Sequence, residues 1–165
     1  MLIQEELIFN MAINPLLIAL ILSILPISEL RAGIPYAILN GISPITAFFL
    51  CTLANIIVIP IVFFFLDYVN DFLMNIKIWE KFFVKYVDHK VNKIKSKYEY
   101  LSYFILFLFV AIPAPGTGAY TGVLLAWFFK MKKKTSFYVI AGGVIVAGII
   151  TTILMLLGIG FFMLF

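Results

Sequence analysis

Between Leu7 and Leu66 the chain carries two charged residues, Glu29 and Arg31, two positions apart in an otherwise apolar stretch. A charge at membrane depth costs about 2.5–3.5 kcal/mol on insertion scales. A chain that keeps one of each sign there has a use for them. The surrounding Pro26-Ile-Ser-Glu29-Leu-Arg31-Ala-Gly33-Ile-Pro35 predicts a backbone that cannot continue as one uninterrupted helix, because a proline lacks an N–H and collides with the preceding turn. Charges and broken backbone therefore coincide, and that place is the first candidate for a functional site.

Composition sets the solvent. The 165 residues are 64% hydrophobic and 12% charged, with a mean hydropathy of +1.15. A soluble domain is about half apolar and about a quarter charged, so the numbers predict an integral membrane protein with no sizeable soluble domain. The net charge of +4 comes from basic residues at 77–97 and 130–134, both beside apolar runs. That is the distribution of cytoplasmic membrane-edge lysines and not of a nucleic-acid surface. Residues 1–10 hold Glu5 and Glu6 and no Lys or Arg, unlike a secretory signal, so the first apolar segment is expected to stay in the mature protein.

The chain divides into a first repeat (1–66), a central polar segment (67–99) and a second repeat (100–165), within one membrane domain. Residues 11–40 are apolar but interrupted at Pro26, Gly33 and Pro35. Residues 44–66 form a clean apolar run of about 35 Å as helix, enough to cross a core of roughly 30 Å. Ser43 is expected to cap it, Pro44 to occupy its first turn and Pro60 to kink it. In 67–99, apolar residues from Val69 to Val87 recur at helical spacing opposite lysines. This predicts a central amphipathic cytoplasmic helix with Trp79 as anchor, or a connector packed on the membrane domain. Residues 100–129 are again apolar and broken, at Ile112–Gly122, and 135–165 are apolar, with Thr135 or Ser136 expected as the cap.

Charge placement decides how the broken segments sit. If residues 101–129 crossed the bilayer, Lys130, Lys132, Lys133 and Lys134 would lie opposite the lysines of 77–97. Two basic clusters belong on one side, the cytoplasm. The segment is therefore expected to enter and leave by the same face, as a re-entrant hairpin. The same logic makes 11–40 a second hairpin from the opposite face, with both termini outside. The alternative treats 11–40 as two short crossing helices. The predicted fold class is thus an all-α polytopic membrane protein, an inverted repeat of re-entrant helical hairpin plus transmembrane helix, as in many secondary transporters.

Glu29 is the one carboxyl in an apolar segment. A carboxyl that binds and releases a proton on each side of a membrane can couple transport to protons. The alternative is a structural Glu29–Arg31 pair, which needs the broken backbone, since residues two apart on a regular helix point away from each other. Pro26, Gly33 and Pro35, with Pro113, Pro115, Gly116, Gly118 and Gly122, release backbone groups that can meet an ion or a headgroup phosphate, or else permit close packing. Thr117, Tyr120 and Thr121 add hydroxyls. Asn55 is expected to bond across helices as packing glue, and Cys51 to be a small buried hydrophobe. His89 is expected to be solvated. Gly143 and Ala147 are spaced for an internal seam or a dimer face, which leaves a homo-oligomer open. One His and one Cys assemble neither an enzymatic constellation nor a metal site, and no cofactor is expected.

The stretch Ser28-Glu-Leu-Arg-Ala-Gly-Ile-Pro35-Tyr-Ala-Ile38, with Ile112-Pro-Ala-Pro-Gly-Thr-Gly-Ala-Tyr-Thr-Gly122 downstream, resembles the putative small multidrug export protein family over about residues 11–160. The resemblance implies drug efflux. The layout also looks like the DedA and VTT-domain superfamily, which implies two opposed re-entrant hairpins and lipid translocation. That pattern pairs an acidic residue in the first hairpin with arginines in the second. Glu29 matches in kind, and no arginine stands in the second hairpin here. The expected function is a membrane transporter moving a small or lipid-like solute, exporting it with proton coupling in one version and flipping lipid in another. The competing class is a non-transporting scaffold.

Overall fold

The computed structural model describes residues 14–74, 99–114 and 116–158. Among them are six helices and no strand: α1 (Pro15–Ile24), α2 (Glu29–Leu39), α3 (Pro44–Met74), α4 (Glu99–Ala111), α5 (Ala119–Phe128) and α6 (Lys133–Leu156). Trp79, His89 and the rest of 75–98 lie outside the described residues, so the expected amphipathic helix does too, and so does Pro115.

Local chemistry sets most of the boundaries. The Asn14 side chain accepts from the Leu16 N–H at 2.9 Å, and Pro15 follows in the first turn of α1. The helix stops at Leu25, which is extended (φ −69°, ψ 138°) as a residue before proline prefers. α2 ends in a Schellman motif: the Ile42 N–H reaches the Ala37 carbonyl at 3.0 Å and the Gly41 N–H that of Ile38 at 3.1 Å, with Gly41 at φ 84°. Ser43 then caps α3, its hydroxyl accepting from the Thr46 N–H at 3.2 Å, and Pro44 opens the helix as expected.

Three boundaries differ from the sequence reading. Gly33 and Pro35 do not interrupt the chain; both are buried inside α2, and the break is confined to residues 25–28. Pro35 lacks the N–H that would reach the Arg31 carbonyl, and packing of α2 on α1 holds the helix through it. α3 does not stop at Leu66 but runs on to Met74. α6 starts at Lys133, ahead of Thr135 and Ser136, so neither caps it.

α3 over Pro44–Asn70 and α6 are long and apolar enough to cross a membrane. Phe64 is 75% exposed and Ile45 71%, an exposure of large apolar side chains that water would penalise and lipid would not.

The chain forms two compact units, one of residues up to Asn55 with those from Gly148 onward, the other Ile56–Ala147. In the first, α1 and α2 pack as a hairpin whose tightest point is Gly33 against Ser23 and the Ala19 carbonyl. Cys51 of α3 is buried beside it, its thiol 4.0 Å from the same carbonyl, as a small buried residue should be. In the second, α4 and α5 form the hairpin, and Gly122 of α5 and Gly143 of α6 both press on Val110. Gly143 therefore serves an internal seam.

The succession of helix, tip, helix, tight turn and long helix occurs twice. The interval from Gly33 to Gly122 also separates Leu39 from Phe128, the last residues of α2 and α5, and Pro44 from Lys133, the first of α3 and α6. It separates Gly41 from Lys130 as well. Lys130 takes the same left-handed place (φ 50°), with the Lys130 N–H on the Trp127 carbonyl at 2.9 Å and the Met131 N–H on that of Ala126 at 2.8 Å. Two hairpin ends with one cap geometry are what a duplicated plan produces, although few residues are shared.

Candidate functional site

The tip of the α1–α2 hairpin is short and firmly held. Ser28 donates its hydroxyl to the Leu22 carbonyl at 2.7 Å, and the Glu29 N–H reaches the Leu25 carbonyl at 3.0 Å. Pro26 and Ile27 are exposed on the outside of the turn. Glu29 turns the other way: it is 6% exposed. Its backbone sits at φ 50°, a left-handed value that residues with a Cβ adopt rarely and at a cost. Strained backbone of this kind concentrates at functional sites.

Electrostatics make the buried carboxylate tolerable. Glu29 opens α2, where the N-terminal end of the helix dipole favours a negative charge. Arg31, half-buried in the same turn, interacts electrostatically with Glu29. Gly33 and Pro35 follow on the buried side of α2 and set how closely it lies on α1.

The tip of the second hairpin is built by a hydroxyl. Thr117 donates to the carbonyls of Ile112 and Ala114, at 2.7 and 2.8 Å, and its oxygen lies 3.3 Å from the Ala114 N–H. Pro113 is half-buried, Gly116 is exposed, and Gly118 is buried at φ 141°, a value that suits glycine. Tyr120 is half-buried in the first turn of α5. Of the residues singled out from sequence, Pro26, Glu29, Arg31, Gly33 and Pro35 thus lie on one hairpin of the first unit. Pro113, Gly116, Thr117, Gly118 and Tyr120 lie on one hairpin of the second.

Sequence reasoning singled out Asn55 but missed that it belongs to a set of buried polar groups on the long helices. Thr52, Asn55 and Thr151 in the first unit, and Ser136 in the second, are buried with side-chain atoms that make no hydrogen bond. Asn55 was expected to bond across helices; instead neither its amide oxygen nor its nitrogen has a partner. The signal available was the i, i+3 spacing of Thr52 and Asn55 within an apolar run.

At one end of the second unit, four elements are tied by polar contacts. The Trp127 indole donates to Asp67 at 3.2 Å, Lys133 forms an ion pair with Asp67, and the Lys132 N–H reaches the Tyr103 hydroxyl at 3.1 Å. The start of α4, the end of α5, the start of α6 and the polar end of α3 are therefore held together. Among the described residues, no group of three His, Cys, Asp or Glu side chains could hold a metal ion.

An all-helical chain with two membrane-length apolar helices, outward-facing aromatic and aliphatic side chains and a buried carboxyl at a helix break falls in the class of helical membrane proteins. The family model described as Putative small multi-drug export protein matches residues 29–150, most of the chain, from Glu29 through the second hairpin tip, and the chain belongs to that family. No curated protein and no solved structure matches it.

Proposed function

We propose that this protein is a membrane transporter that exports a small or lipid-like solute, with Glu29 as the group that takes up and releases the coupling proton. The observation that carries this reading is a buried carboxyl on strained left-handed backbone at a helix break. In its ionised state the helix end and Arg31 offset the charge. In its protonated state the desolvation cost of that charge is gone. Such a group can hold either state as its surroundings change, which coupling requires.

In this reading both hairpins are re-entrant. Helices of 10 to 13 residues span only about 15–20 Å, short of a core of roughly 30 Å. The contacts of Asp67 with Trp127 and Lys133, and of the Tyr103 hydroxyl with the Lys132 N–H, support entry and exit of α4–α5 at one face. That face is the cytoplasmic one, with Lys130–Lys134 and the basic 77–97 segment on it and both termini outside. The duplicated succession supports the inverted-repeat arrangement of secondary transporters. The bilayer and protons are then its working partners.

The test uses purified protein in proteoliposomes with an imposed pH gradient. Ethidium and a fluorescently labelled phosphatidylethanolamine serve as probes, beside a pH dye in the lumen. Wild type is expected to move at least one probe together with protons, and Glu29→Gln is expected to fold and fail. Equal movement in both proteins refutes coupling through Glu29. No movement of either probe by wild type, with Glu29→Gln unable to fold, favours the second reading, a membrane scaffold in which Glu29 and Arg31 are a structural pair. Their electrostatic interaction is the observation on that side.

A further inference from the structure

Thr52, Asn55 and Thr151 pose a question that the Glu29 tip does not answer. Each is at least nine-tenths buried, with 5%, 0% and 3% of its surface exposed, and each has a side-chain polar atom without a hydrogen bond. All three belong to the first unit. Thr52 and Asn55 are one turn apart on α3, and Gly148 and Thr151 one turn apart on α6, so each pair lies on one helix face. The two faces meet, because the Thr52 hydroxyl oxygen is 2.7 Å from where a Cβ on Gly148 would stand. Gly148 lets that hydroxyl lie against α6, where it is buried without a hydrogen bond.

The duplicated plan says that the architecture does not need these groups. At the interval that relates Gly33 to Gly122, Thr52 corresponds to Ala141, Asn55 to the buried Val144, and Thr151 to Val62. The equivalent positions pack with apolar side chains. Buried polar groups without partners are destabilising and uncommon in native proteins, so three of them at positions whose counterparts in the duplicated plan are apolar call for a ligand.

We infer that the face shared by α3 and α6 at Thr52, Asn55 and Thr151 binds an uncharged hydrogen-bonding group of the transported solute, one that both donates and accepts, such as an amide on an apolar body. This rests on the transport reading above and names the substrate class. The donor inventory selects the class. A bare cation satisfies the three oxygens but leaves the Asn55 NH2 without an acceptor, and an anion satisfies the NH2 but not the Asn55 oxygen. A neutral amide satisfies both, and the apolar residues around it suit an uncharged molecule.

The experiment measures equilibrium binding to the purified full-length protein in detergent, with three probes of one chain length: octanamide, octylammonium and octanoate. Wild type is expected to bind octanamide at least about tenfold more tightly than either ion. Asn55→Val, the side chain that the other half uses, is expected to abolish that preference, and Thr52→Ala to weaken it several-fold, with both proteins folded. Equal binding of the three probes, tighter binding of an ion, or an amide preference that survives Asn55→Val overturns the inference. If Asn55→Val unfolds the protein, the Thr52→Ala result decides in the same terms. Proton-coupled movement lost in Glu29→Gln but present in wild type leaves the transport reading standing even where the amide preference fails.

Discussion

The Ala19 carbonyl oxygen stands 2.6 Å from the point that a Cβ on Gly33 would occupy, and the Ser23 hydroxyl is closer still. Ser23 cannot simply swing away, since it donates to that same carbonyl at 2.8 Å and is fully buried. Gly33→Ala is therefore expected to push α2 off α1 and to destabilise the protein by about 1–3 kcal/mol, the usual range for overpacking. Adding Ser23→Ala should recover part of the loss and not all of it, because the Ala19 backbone stays in place. Equilibrium unfolding in mixed micelles measures both. A Gly33→Ala protein as stable as wild type contradicts the observed packing.

The Glu29 backbone gives a second expectation, separate from transport. Glu29→Ala and Glu29→Gly both delete the carboxyl, and they differ in what φ 50° costs them. The glycine variant should be the more stable by about 1 kcal/mol, the strain of a left-handed residue less the entropy that glycine loses on folding. Both should be inactive in the proton-coupled assay. Equal stability would mean that the left-handed turn is not kept on replacement of the carboxyl.

How much of this was legible in the sequence follows from which forces act locally. The two breaks, the Ser43 cap and the Pro44 start are decided by proline geometry and by a hydroxyl beside an open helix end, and a linear reading finds them. Gly33 and Pro35 read as breakers and are helical, because the close approach of α1 outweighs local propensity, and sequence spacing carries no record of that approach. α3 runs past Leu66 and α6 starts ahead of Thr135 because two charges that look like helix boundaries, Asp67 and Lys133, lie within the helices and pair with each other. The Glu29–Arg31 site was legible as two charges in apolar surroundings. The left-handed backbone of Glu29 was not, since only glycine advertises that conformation. Thr52 and Thr151 were missed because a threonine in an apolar helix ordinarily bonds back to its own helix, as Thr152 does to the Gly148 carbonyl at 2.8 Å.

Lys130 occupies the left-handed cap position that Gly41 holds in the first half. Lys130→Gly should raise stability by about 1 kcal/mol and Gly41→Ala lower it by a similar amount, because the cost of a Cβ at that φ is the same at both ends. The two substitutions lie at matching places in the duplicated plan, so the comparison checks that plan as well as each cap. Opposite signs in chemical unfolding are the expected result; a loss of stability in Lys130→Gly would show that the lysine side chain outweighs its backbone strain.

The last prediction concerns the end of the second unit where Asp67, Trp127 and Lys133 meet. Lys133 and Asp67 are both partly exposed, so solvent screening leaves their ion pair worth about 0–1 kcal/mol, and Asp67→Asn should barely change stability. The Asp67 contacts bear instead on which side of the membrane these groups occupy. Asp67 is joined to Trp127, at the end of α5, and to Lys133, at the start of α6, and all three must sit on one side if α4–α5 enters and leaves at the same face. With Cys51 replaced by Ala, single cysteines at residues 42 and 132 should react with a membrane-impermeant maleimide from opposite sides, residue 42 from outside and residue 132 only after the membrane is opened. A cysteine at residue 68, next to Asp67, should behave as residue 132 does. Labelling of 68 and 132 from different sides would separate the groups that the Asp67 contacts join, and would refute the re-entrant reading of α4–α5 together with the transport route built on it.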